Sequence, residues 1–132
     1  MKKILITGGA GYIGSHITEL LIRKRYDVFI IDNLSTGFKR LINKKAKFFK
    51  IDLKEKKKIK DLILKNSIDS IIHLAALLDV NESQKKPAKY FQNNVIGTLN
   101  LLNASLNSKV KNFIFSSTAA VYKDGIFKVN EK

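Results

Sequence analysis

The chain has 132 residues, 45% of them hydrophobic and 27% charged, enough for one globular domain (1–132) with a real core and too few for a second. It contains no cysteine, which excludes a disulfide framework and a thiolate metal site, and no metal ligation is expected. A net charge of +14 could serve a nucleic-acid partner, but the lysines are scattered and are not interleaved with aromatics, so solvated faces are expected and nucleic acid is not.

Residues 2–16, KKILITGGAGYIGSH, read as a short apolar strand (Ile4, Leu5, Ile6), a glycine turn and the start of a helix. Gly9, Gly11 and Gly14 fit G-x-G-x-x-G, while Thr7, Gly8, Gly11 and Gly14 fit the neighbouring T-G-x-x-G-x-x-G. Side chains at these positions would keep a diphosphate away from the backbone N–H groups, and the helix turns its positive end toward that anion. A tight turn without a ligand is the plainer alternative. A strand before the glycines, a helix after them and an acid at the next strand end favour a dinucleotide. The apolar run before Thr7 is too short for a signal peptide, and no later stretch approaches a membrane span. A cytoplasmic location without a membrane partner is expected.

Ile13, Ile17, Leu20 and Leu21 then recur at helical spacing and predict an apolar stripe laid on a sheet. Residues 27–32 (DVFIID) form a second strand ending in Asp32, 18 residues past Gly14. A carboxylate at that offset takes the ribose hydroxyls of an adenosine half and repels a 2′-phosphate, so NAD rather than NADP is the expected cofactor. The alternative for Asp32 is a cap that starts the turn over 33–37.

Residues 46–51 (AKFFKI) predict a third strand, and 54–66 a helix with Ile59, Leu62 and Ile63 inward. Residues 70–74 (SIIHL) predict a fourth strand, running into Ala75 and Ala76, which are small enough for a flat ligand to approach the backbone. His73 reads as a packed strand residue rather than a base. Pro87 suits the first turn of a helix reaching about residue 107, with Phe91, Val95, Leu99, Leu102 and Leu106 along one side. Asn93 and Asn94 interrupt it, and asparagine is a poor mid-helix residue unless its amide has a job. Residues 112–116 (NFIFS) are a fifth strand, followed by Ser117, Thr118 and a polar tail. The alternation predicts an α/β fold, a Rossmann-like doubly wound parallel sheet of order 3-2-1-4-5 with its cleft at the carboxyl ends of strands one and four.

Taken together, TGGAGYIGSH, IDNLSTG, HLAA, NNVIGT and KNFIFSSTAAVY resemble the N-terminal part of the extended short-chain dehydrogenases/reductases. The nearest likeness is to the UDP-glucose 4-epimerases and related NAD-dependent nucleotide-sugar epimerases and dehydratases. The resemblance implies that Gly8, Gly11, Tyr12, Ile13 and Gly14 line the diphosphate, and that Asp32 and Asn33 hold the adenosine ribose. It places Asp52 and Leu53 at the adenine, and Leu74, Ala75, Ala76 and Asn93 along the nicotinamide half. Thr118 takes the position of the family's catalytic serine or threonine. Leu78 stands where the galactose epimerases usually carry a lysine.

Such enzymes remove a proton from the sugar hydroxyl with the tyrosine of a Y-x-x-x-K motif. None of Tyr12, Tyr26, Tyr90 or Tyr122 has a lysine four residues on. The resemblance therefore implies the NAD-binding portion of an epimerase, with an incomplete C-terminal sheet edge and no substrate domain. Such a chain would hold NAD without turnover of its own, and would bind a nucleotide sugar only when completed by a C-terminal part. A stand-alone NAD-binding module without chemistry and a fragment of a nucleotide-sugar dehydratase are the rival readings. The uncovered fifth strand predicts association through the open sheet edge.

Overall fold

Side chains of a strand point alternately to two faces, and a parallel sheet covered on both sides buries both sets. The computed structural model describes residues 1–118, so Tyr122 and the polar tail lie outside the described residues. Its strands are β1 (Lys3–Thr7), β2 (Asp27–Asp32), β3 (Lys47–Lys50), β4 (Ser70–His73) and β5 (Asn112–Phe115). All neighbours pair in parallel in the order β3-β2-β1-β4-β5, as the alternation of elements required.

In-register pairing of Leu5 with Phe29 and Ile71 puts odd-numbered apolar residues on one face. There they pack with Ile59, Leu62 and Ile63 of α2 (Lys56–Asn66) and with Leu101 and Ala104, which lie beyond β4. Ile4, Ile6, Val28 and Ile30 occupy the other face, covered by Ile17, Leu21 and Ile22 of α1 (Tyr12–Arg23). Helices on both faces make the sheet doubly wound.

Two helical stripes turn out differently from their sequence reading. In α1 only Ile17 and Leu21 of the predicted four pack on the sheet, while Ile13 and Leu20 are more than half exposed. The buried positions are Gly14 and Thr18. A Cβ on Gly14 would stand 2.2 Å from Gly8 O and 2.7 Å from Gly9 Cα. That close approach rotates the helix until its glycine side, not its bulkiest side, meets the turn.

Beyond β4 come α3 (Val80–Lys85) and then an unbroken helical run from Pro87 to Ser105, as the sequence predicts, made of α4 (Pro87–Tyr90), a π-helical stretch (Phe91–Ile96) and α5 (Gly97–Ser105). Phe91, Val95, Leu99, Leu102 and Leu106 do share a side, and it faces outward. Gly97, Asn100, Leu101 and Ala104 are buried instead. Asn100 Nδ2 donates to Leu53 O at 2.9 Å, and a Cβ on Gly97 would reach Leu53 Cβ at 3.0 Å, so small and amide side chains set this helix close to the segment after β3.

Ser67 ends α2 in the left-handed region (φ 51), and Ile68 N bonds back to Ile63 O at 3.2 Å. Ile68 itself is fully buried, which anchors this cap on the core. A Cβ is disfavoured at positive φ. Ser67→Gly is expected to stabilise the chain by roughly 0.5–1 kcal/mol, read as a raised urea midpoint with unchanged m.

Candidate functional site

The carboxyl ends of β1, β2, β4 and β5 open on one cavity of about 1000 Å³, within the size range of ligand sites. Gly8 (φ 74) turns the chain out of β1, and a Cβ there would lie 2.8 Å from Ala75 N. The first crossover is thus pressed against the end of β4. Gly11 differs from its neighbours. Its φ of −82° suits any residue, and the nearest atom a Cβ would meet is Gly8 O at 3.3 Å. Gly11 lines the cavity, and α1 begins there without a side-chain cap. Packing within the chain scarcely requires a glycine at this point. Bare backbone at an uncapped helix start is what an anionic group from the cavity would need.

Asp32 closes β2 and is nearly buried. Its Oδ2 accepts from Ala10 N at 3.0 Å and its Oδ1 from Leu34 N at 2.8 Å. Ala10 O in turn accepts from Phe38 N at 2.9 Å. The carboxylate is therefore the turn cap that the sequence offered as an alternative, and it also ties the glycine turn to the loop after β2. Two of its roughly four acceptor positions remain for a ligand hydroxyl. Asn33 Nδ2 donates to Asp52 Oδ2 at 2.9 Å, and Lys54 N donates to Asp52 Oδ1 at 2.9 Å. Burial pushes the Asp52 carboxyl up, but these two bonds and the Lys54 charge together outweigh it and leave the group below its ordinary value.

Of the residues singled out from the sequence, Gly8, Gly11, Tyr12, Ile13, Gly14, Asp32, Asn33, Leu53, Leu74, Ala75, Ala76, Asn93 and Thr118 all line this cavity, as does Leu78. Asp52 is not among the lining residues and stands behind Asn33. The sequence reading did not single out Phe38 and Arg40, which also face the cavity, with the guanidinium 5.2 Å from the Phe38 ring centre. In the sequence Asn94 reads only as a helix interruption. The amide does have a job: Oδ1 accepts from Leu77 N at 2.9 Å and Nδ2 donates to Leu77 O at 3.0 Å.

His73 is packed, not poised. It is 2% exposed, with the rings of Phe113 and Phe115 about it. Thr98 Oγ1 gives its one proton to Asn94 O at 2.6 Å, so toward His73 Nε2, 2.7 Å away, it can only accept. The proton therefore sits on Nε2, and bare Nδ1 accepts from Thr7 Oγ1 at 2.6 Å.

Burial pushes His73 from its ordinary 6.5 down to about 4. The fold thus favours the neutral ring. Its contribution is complete above pH 6.5 and is lost as pH falls from there to about 4, because the unfolded chain binds the proton first. The expected loss across that window is about 3 kcal/mol. Urea unfolding at intervals from pH 7.5 to 4.5 should show it, with a flatter profile for His73→Leu. Equal slopes in the two chains would refute the assignment.

Comparison with known proteins gives a consistent picture. The model of the NAD dependent epimerase/dehydratase family matches residues 4–131. A UDP-glucose 4-epimerase of Lactobacillus helveticus is 42% identical over 91% of this chain, and one of Klebsiella pneumoniae is 41% identical over 92%. The chain spans 36% of the former's length and 93% of the latter's. Among solved structures, a UDP-glucose 4-epimerase from Stenotrophomonas maltophila, crystallised with NAD and formylated UDP-arabinopyranose, superposes with a TM-score of 0.89 at 34% identity. The match takes in 96% of this chain and 40% of that one.

Proposed function

From the premise that the chain belongs to the NAD dependent epimerase/dehydratase family, we propose that it is the NAD-holding portion of a UDP-glucose 4-epimerase-like enzyme. The observation that carries this reading is the opening of the glycine crossover and the Asp32 carboxylate onto one cavity. Gly8, Gly11, Tyr12, Ile13 and Gly14 would hold the diphosphate against the start of α1. Asp32 and Asn33 would take the adenosine ribose, with Leu53 at the adenine and Asp52 acting through Asn33. Leu74, Ala75, Ala76 and Asn93 would lie along the nicotinamide half, and Thr118 would bond the sugar oxygen. When bound, NAD supplies hydride exchange at the sugar carbon, while the protein binds and orients it.

The 132 residues contain no Y-x-x-x-K, so we read them as holding NAD without epimerising a sugar nucleotide by themselves. Loss of a general base alone costs roughly 10²–10⁴ in rate. Leu78, 84% exposed at the cavity, is one departure that bears on which nucleotide sugar the family member would take. Calorimetry on the purified chain tests the central reading: NAD should bind, and NADP should bind at least tenfold more weakly. No heat with either would refute it. We propose further that association runs through β5, the edge of the sheet among the described residues, where Ile114 and Phe115 are exposed. A monodisperse monomer at high concentration in sedimentation velocity would refute that.

A further inference from the structure

The cavity wall formed by residues 74–77 is irregular backbone, and it is held by side chains that approach it from outside the glycine crossover. Thr7 lies in β1 with no exposure, and its Oγ1 faces Leu74 N and Ala75 N at 3.3 Å each, as well as His73 Nδ1. Leu74 N also donates to Thr7 O at 3.1 Å. From the ring, the chain of bonds continues through Nε2 to Thr98 Oγ1 and on to Asn94 O. Asn94 then returns to the same wall, gripping both N–H and C=O of Leu77 with its amide. The circuit begins at Leu74 and ends at Leu77. Asn94 sits in the π-helical stretch Phe91–Ile96, an uncommon widening that recurs at functional sites.

We propose that Thr7, His73, Thr98 and Asn94 are positioning residues that set the backbone of residues 74–77 for the dinucleotide lying along it. The direction of every bond in the circuit follows from a single protonation choice. Thr98 spends its proton on Asn94 O, which makes His73 a donor at Nε2 and an acceptor at Nδ1, and that in turn makes Thr7 the donor to Nδ1. With its proton committed to the ring, Thr7 Oγ1 presents only lone pairs to the two amides. Removing the Thr7 hydroxyl would leave the bare Nδ1 of the buried ring without its donor and Ala75 N without its acceptor, while Leu74 N would keep only its bond to Thr7 O. Thr7 does not line the cavity, so its hydroxyl cannot touch a ligand there, and exchange at residues 74–77 distinguishes an effect through this wall from one through the adjoining Gly8.

The inference rests on the NAD reading above, and the test separates the two. The chain is compared with Thr7→Val, which keeps the shape and loses the hydroxyl, and with Thr7→Ser, which restores the hydroxyl. Thr98→Val is the second variant should Thr7→Val fail to fold. NAD affinity is measured by calorimetry, amide hydrogen exchange at residues 74–77 without ligand, and the His73 ring nitrogens by ¹⁵N NMR. The valine variant should bind NAD roughly tenfold more weakly and exchange faster at 74–77, with serine within about twofold of the parent. The parent's ring should show a protonated Nε2 and a bare Nδ1. Unchanged exchange in the valine variant, or NAD affinity within twofold of the parent's, would overturn this inference alone. A parent chain that bound no NAD would overturn the cofactor reading and this inference with it.

Discussion

Gly11→Val is expected to fold with a melting temperature close to the parent's and to lose NAD affinity by roughly 100-fold or more. The backbone at Gly11 is extended and open to any residue, and its nearest neighbour, Gly8 O at 3.3 Å, need yield only a few tenths of an ångström. The branched side chain would instead stand in the cavity at the start of α1, where the proposed function puts the diphosphate. Losing one or two charge-assisted amide bonds at about 1.5–3 kcal/mol each accounts for the expected size. Gly14→Val gives the contrasting result. Its Cβ would overlap Gly8 O at 2.2 Å, backbone against backbone, so α1 must separate from the turn. That variant should lose about 3 kcal/mol or more of stability, and with it the cavity. Thermal melting beside calorimetry distinguishes a blocked site from a broken one. A Gly11→Val chain that binds NAD normally would remove the diphosphate from this turn.

The second large effect falls at Asp32. Asp32→Ala should cost about 1–3 kcal/mol of stability, because Ala10 is fully buried and its N–H would lose its acceptor. Leu34 would also lose the bond that helps to hold it at φ 61. NAD affinity should fall by roughly tenfold, the scale of a lost charged hydrogen bond, while NADP affinity should fall much less or rise. Without the carboxylate, a 2′-phosphate no longer meets a fixed negative charge. Urea unfolding reads the first effect, and paired NAD and NADP titrations read the second. If destabilisation appeared while the NAD-to-NADP ratio stayed constant, Asp32 would be a structural tie alone.

Where residue type and order were enough, the sequence could be read directly. The run Ile4–Leu5–Ile6 before a glycine cluster can only be a buried strand entering a tight turn. Five short strands, three of their four connections carrying an α-helix, leave parallel pairing with crossovers as the economical arrangement, and the observed order follows. Asp32 was legible because its distance from the glycines is set by one strand and one helix. Thirteen of the fourteen residues that the family resemblance marks line one cavity, since the carboxyl ends of parallel strands converge there.

Helix orientation and the identity of the residues behind the site were not legible, because both depend on what a side chain meets across the fold. Periodicity marks the apolar side of a helix. It does not say that Gly14 and Gly97 permit so close an approach that a small-residue side turns inward and leaves Leu20 and Leu99 outside. The jobs of His73 and Asn94 were likewise hidden. Their partners are 66, 25 and 17 residues away, and only the packed sheet brings Thr7, Thr98 and Leu77 within hydrogen-bonding distance. Local propensity and spacing therefore determined the strands, their order and the place of the glycine crossover. Tertiary packing decided how the helices sit and which polar groups hold the cavity wall, because hydrogen bonds and van der Waals limits act through space.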